Sequence, residues 1–123
     1  MPVKIAKQFS AEFRGALKKE SKKMILEVVI MDIISGKETE FESAFCDASG
    51  IIAGMAGYMS HQLQHCLEKQ NRYLLLVQWE TLEAHTIGFR GSSEYQEWKK
   101  RLHHFYDPFP VVEHYEMRFS NPV

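Results

Sequence analysis

The chain has 123 residues, of which 45% are hydrophobic and 25% charged, as expected for one soluble globular domain. This composition excludes a disordered chain and a collagen-like repeat, and two cysteines are too few for a disulfide scaffold. The formal net charge is −1, yet the first 23 residues carry seven basic and two acidic side chains. We therefore predict a basic N-terminal arm, residues 1–23, followed by an acidic domain.

The basic arm has two possible interpretations. It contains the segment SAEFRGALKKESKK, in which Ser10 is a good N-cap for a short helix. A basic helix of this kind can bind nucleic acid or anionic lipid, or it can be a solvated tail. The arm lacks interleaved aromatic residues, so the tail is favoured and neither nucleic acid nor a membrane is expected as a partner. We expect Cys46 and Cys66 to be reduced thiols in a cytoplasmic protein.

The first half of the predicted domain alternates between strand and helix signals. The run MILEVVIMDI (24–33) is apolar on both parities and predicts a strand buried on both faces. Ser35 and Glu38 form a capping-box pattern at the start of a helical segment, 35–55. Alternating residues over 57–68 then predict a second strand.

The second half continues with the same regularity. A turn at 69–71 makes a hairpin between the second strand and the next one. The remaining predicted elements are a strand (72–80), a short helix capped by Thr81 (81–89), a helix with a Ser93–Gln96 capping box (93–106), a DPFP turn (107–110) and a last strand (111–119). The order β-α-β-β-α-β predicts a ferredoxin-like α+β fold over 24–119, with a short tail at 120–123.

This fold places both helices on one face of the sheet. The other face would carry apolar residues of the first and third strands, and soluble monomers rarely expose such a surface. We therefore predict a homodimer in which two sheets pack face to face.

Cofactor motifs do not occur in the sequence. It contains no GxGxxG, GxxxxGK[ST], HExxH or GxSxG pattern. His61 and His65 have the HxxxH spacing of a metal site, but on a strand residues four apart are separated by about 13 Å. We therefore expect neither a metal nor a cofactor.

One histidine lies among apolar positions. His85 shares a helical face with Leu82, Thr86 and Phe89, and Arg90 follows directly. Inward-facing aromatic residues come from the neighbouring elements: Trp79, Tyr95, Trp98 and Phe105. The group can form a small-molecule pocket or an ordinary core with one hydrogen-bonded histidine, and the residues alone favour the core.

The other histidines have weaker signals. His103 and His104 fall off the inward face of their helix, so we expect them to be exposed or to contact the DPFP turn. His114 lies on the more polar side of the last strand, and we expect a structural role for it near the dimer edge.

Two long segments resemble a bacterial branch of the antibiotic biosynthesis monooxygenase family. They are MILEVVIMDIISGKETEFESAF and RYLLLVQWETLEAHTIGFRGSSEYQEWKKRLHHFYDPFPVVEHY, and the resemblance covers about residues 24–119. It implies a dimeric α+β barrel. It also implies oxidation of a small aromatic phenol or hydroquinone by O₂ without a cofactor, since characterised family members perform this reaction.

That chemistry assigns roles to the inward residues by position. His85 would be the base, and Arg90 would hold a developing phenolate charge. The ring of a small aromatic ligand would lie between Trp79, Phe89, Tyr95 and Trp98.

Two alternatives remain open. One is a non-catalytic protein that binds a small ligand or acts in stress. The other is a haem-binding protein with His85 as axial ligand. Haem-degrading relatives place a helix histidine near Trp98 or Lys99, and neither position is a histidine here.

Overall fold

The computed structural model of the chain describes residues 24–122. The predicted basic arm, residues 1–23, lies outside the described residues. The elements within the described range are β1 (Ile25–Asp32), α1 (Glu38–Ala53), β2 (Tyr58–His65), β3 (Arg72–Trp79), a π-helical turn (Ala84–Phe89), α2 (Ser93–Leu102), a 3₁₀ turn (His103–Phe105) and β4 (Val112–Tyr115).

The four strands form one antiparallel sheet in the order β2-β3-β1-β4. β1 and β3 are central, and Val28 pairs with Leu76 between them. The helices pack on one face, which we call the inner face. The predicted ferredoxin-like α+β fold is therefore confirmed. The last strand is shorter than predicted because its pairing with β1 ends at Tyr115.

The predicted capping box of the first helix is wrong. α1 begins at Glu38, and Lys37 precedes it without a side-chain cap. The Glu38 carboxylate instead accepts a hydrogen bond of 2.8 Å from the Gly36 amide. Gly36 has a φ of +91°, a conformation that strongly favours glycine. A tight turn therefore occupies the positions where the sequence predicted the first helical residues.

The predicted cap of the following helix is displaced by one residue. Ser92, rather than Ser93, caps α2, because its Oγ accepts a hydrogen bond of 3.1 Å from the Tyr95 amide. Ser92 also has the extended backbone of an N-cap, while Ser93 is already helical. The helix ends at Leu102, and the 3₁₀ turn replaces its predicted last turn.

A bulge changes the alternation of β2. The register to β3 shifts between Tyr58 and Ser60, and an extra residue in a strand reverses the side on which preceding side chains lie. The Tyr58 hydroxyl consequently hydrogen-bonds the His61 ring on the same side of the sheet. The predicted strict alternation, which separates these two residues, is wrong at this point.

The inner face of the sheet carries the core. Under α1, the Phe41 ring packs against Tyr73 and Phe105, and Ile33 and Ala48 are fully buried beside it. We call this region the packed end. α2 and the π-helical turn cover the other part of the inner face, where the packing is incomplete.

The outer face of the sheet has no covering element among residues 24–122. Its central side chains are apolar: Leu26, Val28, Ile30, Leu74 and Leu76. Ile30 is 52% exposed. A single chain covers only the inner face of β1, so burial of its outer face, which was predicted together with the homodimer, stays a prediction.

Candidate active site

A cavity of about 370 Å³ lies between the inner face of the sheet and the helical elements after β3. Its polar wall consists of Glu27, His85, Arg90 and His103, and its aromatic wall of Phe89, Tyr95, Trp98, Tyr106 and Phe109. Aliphatic side chains of β1 and β3 complete the floor. A mostly apolar concavity with a few convergent polar groups is typical of a small-molecule site.

The π-helical turn positions His85. Its start is fixed by Thr81, whose Oγ1 accepts a hydrogen bond of 3.0 Å from the Ala84 amide, as predicted for a cap. The Arg90 amide donates to the carbonyl of His85 five residues earlier, at 3.0 Å, which is the π-helical pattern. Gly57 lies against this turn, because a Cβ there would come within 2.6 Å of Ala84 Cβ.

The structure buries only part of the predicted inward face. His85 and Phe89, four residues apart, are buried, whereas Leu82 is 39% exposed. The predicted inward face is therefore wrong for Leu82, which lies before the π-helical turn. It is confirmed for His85, which is 3% exposed.

Glu27 is a buried carboxylate that sequence reasoning missed. It is 5% exposed, and its Oε1 accepts a hydrogen bond of 2.9 Å from the indole Nε1 of Trp79. The same oxygen lies 3.4 Å from His85 Nε2. The sequence did indicate that Glu27 is buried, because Glu27 has the same parity on β1 as the buried residues Val29 and Met31.

His114 contacts the other side of the His85 ring. The distance from His85 Nδ1 to His114 Nε2 is 2.8 Å. β4 pairs with β1 so that His114 lies directly opposite Glu27. The structure thus brings together Glu27 of β1, His85 of the π-helical turn and His114 of β4. His114 was expected to have only a structural role, but it contacts a residue that lines the cavity.

Burial controls the charge of these groups. It lowers the pKa of His85 to about 3, and the charge of Arg90 and the neighbouring His114 ring add to this effect. Burial also raises the pKa of Glu27, while the Trp79 hydrogen bond and the charge of Arg90 offset part of the rise. His85 is therefore a neutral imidazole near pH 7.

The structure separates the predicted site residues into two groups. Phe89, Tyr95 and Trp98 line the cavity, and Arg90 lines it with an otherwise exposed side chain. Trp79 lies behind the cavity wall, where its ring stacks on His85 with a centroid distance of 5.4 Å.

Three further lining residues come from the segment after α2. His103, Tyr106 and Phe109 are near one another, with ring centroids 5.2 Å apart for His103–Tyr106 and 5.1 Å for His103–Phe109. The expected contact of His103 with the DPFP turn is confirmed, while His104 is exposed. That His103 also lines the cavity was missed, because the helix was predicted to continue to residue 106.

The remaining histidines lie apart from the cavity. His61 and His65 are both on β2, as predicted. His61 Nε2 is 2.7 Å from Ser49 Oγ, and the His65 ring stacks on Tyr73. Within residues 24–122, no three His, Cys, Asp or Glu side chains are arranged as metal ligands. No helix in that range is both long and apolar enough to cross a membrane.

Comparison with known sequences identifies one family. The family profile described as antibiotic biosynthesis monooxygenase matches residues 24–101. The uncharacterized protein YczJ of Bacillus subtilis (strain 168) is 59% identical over 93 residues, which are 76% of this chain and 98% of YczJ.

Solved structures show the same fold. A provisionally assigned antibiotic biosynthesis monooxygenase of Bordetella bronchiseptica is 30% identical, with a TM-score of 0.76 over 79% of this chain and 99% of that chain. SnoaB, a cofactor-independent oxygenase from Streptomyces nogalater, is 22% identical, with a TM-score of 0.66 over 82% of this chain and 99% of its own. At the identity of SnoaB, the similarity shows the fold alone.

Proposed function

This chain belongs to the antibiotic biosynthesis monooxygenase family, and we propose that it is a cofactor-independent oxygenase that oxidises a small phenol or hydroquinone with O₂. SnoaB, which has the same fold, is described as a cofactor-independent oxygenase. Fold alone does not determine function, so the proposal for this chain depends on its own site.

One observation carries the proposal. An aromatic-lined cavity contains a buried carboxylate, Glu27, beside a neutral imidazole, His85. Burying two polar groups of this kind is costly unless they are paired, and an ordinary core would fill the same space with apolar side chains. Their position in a cavity wall makes them available to a ligand.

The chemistry requires no group beyond the substrate and O₂. A phenol that has lost its proton is electron-rich and can reduce O₂ itself. A hydroquinone transfers two electrons and two protons, which yields a quinone and H₂O₂. In an anthrone-type substrate a new C–O bond forms at the reactive carbon, and loss of water leaves a carbonyl that retains one oxygen atom of O₂.

The residues divide this work between them. The Glu27–His85 pair accepts the substrate proton, as the sequence interpretation proposed for His85. Arg90 offsets the negative charge that develops on the phenolate. Phe89, Tyr95 and Trp98 hold the ring and limit access of water. Trp79 does not line the cavity, but its indole N–H holds the Glu27 carboxylate in place through a hydrogen bond.

The geometry of His85 makes it a poor haem ligand. Nδ1 is within hydrogen-bond distance of His114, and Nε2 lies 3.4 Å from the buried Glu27 carboxylate. A bond from either nitrogen to iron would break one of these contacts. Haem binding is therefore not part of the proposed function.

The outer face of the sheet supports a homodimer. Ile30 and its apolar neighbours on β1 and β3 form a surface that a second copy of the sheet would cover. Sedimentation should show a species of about twice 14.3 kDa at micromolar concentration, and Ile30→Glu should shift it towards the monomer. A stable wild-type monomer under these conditions would disprove the dimer.

Oxygen uptake tests the proposed activity. Metal-free and flavin-free protein is incubated with anthrone and a panel of hydroquinones, and we expect O₂ consumption above the spontaneous rate. His85→Ala should reduce it by at least about 100-fold, whereas the exposed His104→Ala should not. A co-purifying aromatic compound that is bound but never oxidised would favour a binding protein instead.

A further inference from the structure

We propose that Glu27 is the catalytic base that contacts the substrate hydroxyl through Oε2, and that His114 is a positioning residue that holds His85 with its proton on Nε2. This inference rests on the proposed oxygenase function and divides the roles within the same site. It differs from the sequence interpretation, which made His85 the base.

The two oxygens of Glu27 have different surroundings. Oε1 accepts the Trp79 N–H and faces His85 Nε2. No hydrogen bond among residues 24–122 uses Oε2, although every fully buried polar side-chain atom in this range has a partner. Oε2 is therefore not fully buried. Because Glu27 lines the cavity, this oxygen can accept a hydrogen bond from a ligand hydroxyl.

The hydrogen bonds around Glu27 have a direction. The Trp79 indole can only donate, so Oε1 is an acceptor. An ionised carboxylate favours a second donor at the nearby His85 Nε2. A neutral imidazole carries one proton, so a proton on Nε2 leaves His85 Nδ1 as an acceptor, and His114 Nε2 must donate to it across 2.8 Å.

This tautomer determines which group is the base. With its proton on Nε2, His85 has no free lone pair towards Glu27, while Glu27 retains a free carboxylate oxygen at the cavity. The substrate O–H proton passes to Oε2, and the electrons pass from the phenolate to O₂. The carboxyl group then returns this proton to the reduced oxygen, so that Glu27 is ionised again. With a hydroquinone, the second hydroxyl of the substrate supplies the other proton of H₂O₂, and with an anthrone-type substrate the proton goes to the carbon-bound peroxide, which then loses water to leave the carbonyl.

The charged and titratable groups facing Glu27 define the expected pH dependence. They are His85 from the π-helical turn, His114 from β4, Arg90 at the end of that turn, and Tyr106 after the 3₁₀ turn. Burial raises the pKa of Glu27, and loss of the His85 donor would raise it further. The acid limb of the activity profile should therefore follow Glu27.

Kinetics of matched variants test both roles. Glu27→Gln keeps an acceptor for Trp79 but cannot take a proton, and we expect kcat to fall about 100-fold or more with little change in KM. His114→Leu should move the acid limb of kcat up by about one pH unit, which lowers kcat about 10-fold on that limb. His114→Gln retains a side-chain N–H donor, so its acid limb should lie at the wild-type pH. Substitution of the exposed His104 by Gln should have no effect.

Two measurements without turnover separate this inference from the proposed function. Ring-nitrogen NMR of the ligand-free protein should show His85 protonated on Nε2 in the wild type and redistributed in His114→Leu. Titration with 4-nitrophenol below its own pKa should show tighter binding to the wild type than to Glu27→Gln, because the ionised Oε2 accepts a stronger hydrogen bond from the ligand hydroxyl than an amide oxygen does.

The outcomes are distinct. If the wild type consumes no O₂ but both signals behave as expected, the oxygenase function fails and the roles of Glu27 and His114 stand. A wild-type His85 protonated on Nδ1, or the same tautomer in His114→Leu, overturns the role of His114. Equal affinity of the wild type and Glu27→Gln for 4-nitrophenol, or an unchanged kcat in Glu27→Gln, overturns the role of Glu27.

Discussion

At the packed end of the sheet, the Phe41 ring lies 5.0 Å from the Tyr73 ring and 5.7 Å from the Phe105 ring, with no space between them for a ligand. At the cavity end, under the π-helical turn, the same sheet faces a space of about 370 Å³ beside Glu27 and His85. One end buries apolar rings in contact, and the other buries a carboxylate and an imidazole beside a void. Stability should therefore depend mainly on the first end and chemistry on the second.

The largest expected effect is at the packed end. Phe41→Ala removes a fully buried ring and leaves a cavity, which should lower the free energy of unfolding by about 3–5 kcal/mol. Denaturant titration measures this change. Phe41→Leu, which keeps most of the apolar volume, should cost less, and a loss below about 1 kcal/mol for Phe41→Ala would contradict the assignment of the packed end.

The next effect is a pH dependence at the cavity end. An unfolded chain binds a proton on His85 below about pH 6.5, whereas the folded protein resists protonation until about pH 3. The contribution of His85 to the free energy of unfolding is thus complete above pH 6.5 and is lost as the pH falls towards 3.

A substitution isolates the contribution of His85. In His85→Gln, the decrease in unfolding free energy between pH 7 and pH 5 should be smaller than in the wild type by about 1–2 kcal/mol. The exposed His104→Gln provides the matched control and should follow the wild-type curve. Identical pH dependence in all three proteins would show that the buried His85 ring is not the cause.

A smaller effect, of opposite sign, is expected for the buried carboxylate. Because burial raises the pKa of Glu27, its charge at pH 7 costs stability that a neutral side chain would not. Glu27→Gln should therefore raise the free energy of unfolding by about 1 kcal/mol at pH 7, and by less near pH 4. A large loss of stability would mean that the carboxylate supports the fold.

The smallest effect on stability is expected at the mouth of the cavity. Phe109 is 64% exposed, so Phe109→Ala should change the unfolding free energy by less than about 0.5 kcal/mol. Since Phe109 also lines the cavity, the same variant should raise the KM for an aromatic substrate. An unchanged KM would show that Phe109 does not contact the substrate.

The sequence predicted what depends on periodicity along the chain. The strand and helix order, the ferredoxin-like fold and the inward direction of His85 and Phe89 follow from patterns within single segments. The start of α1 was displaced by the tight turn at Gly36, and that of α2 because Ser92 and Ser93 are both suitable caps. Leu82, which precedes the π-helical turn, was wrongly placed inside. The predicted arm and domain limits stay a prediction.

The site itself depended on contacts between segments. Glu27 and His114 are 87 positions apart in the sequence, and only the register of β1 with β4 places them opposite each other. Register between strands is set by the packing of whole faces and by turn geometry, which one strand's alternation does not reveal. An acidic residue on the inward parity of β1 was the local signal for Glu27.

We expect the cavity end alone to carry out the reaction. The direct measurement is O₂ uptake, with one hydroquinone that the wild type oxidises, compared between Glu27→Gln and Phe41→Leu at a temperature where both are folded. We predict that Glu27→Gln loses nearly all uptake while Phe41→Leu retains it, although Phe41→Leu is the less stable protein. Equal activity in the two variants, or loss only in Phe41→Leu, would contradict the account.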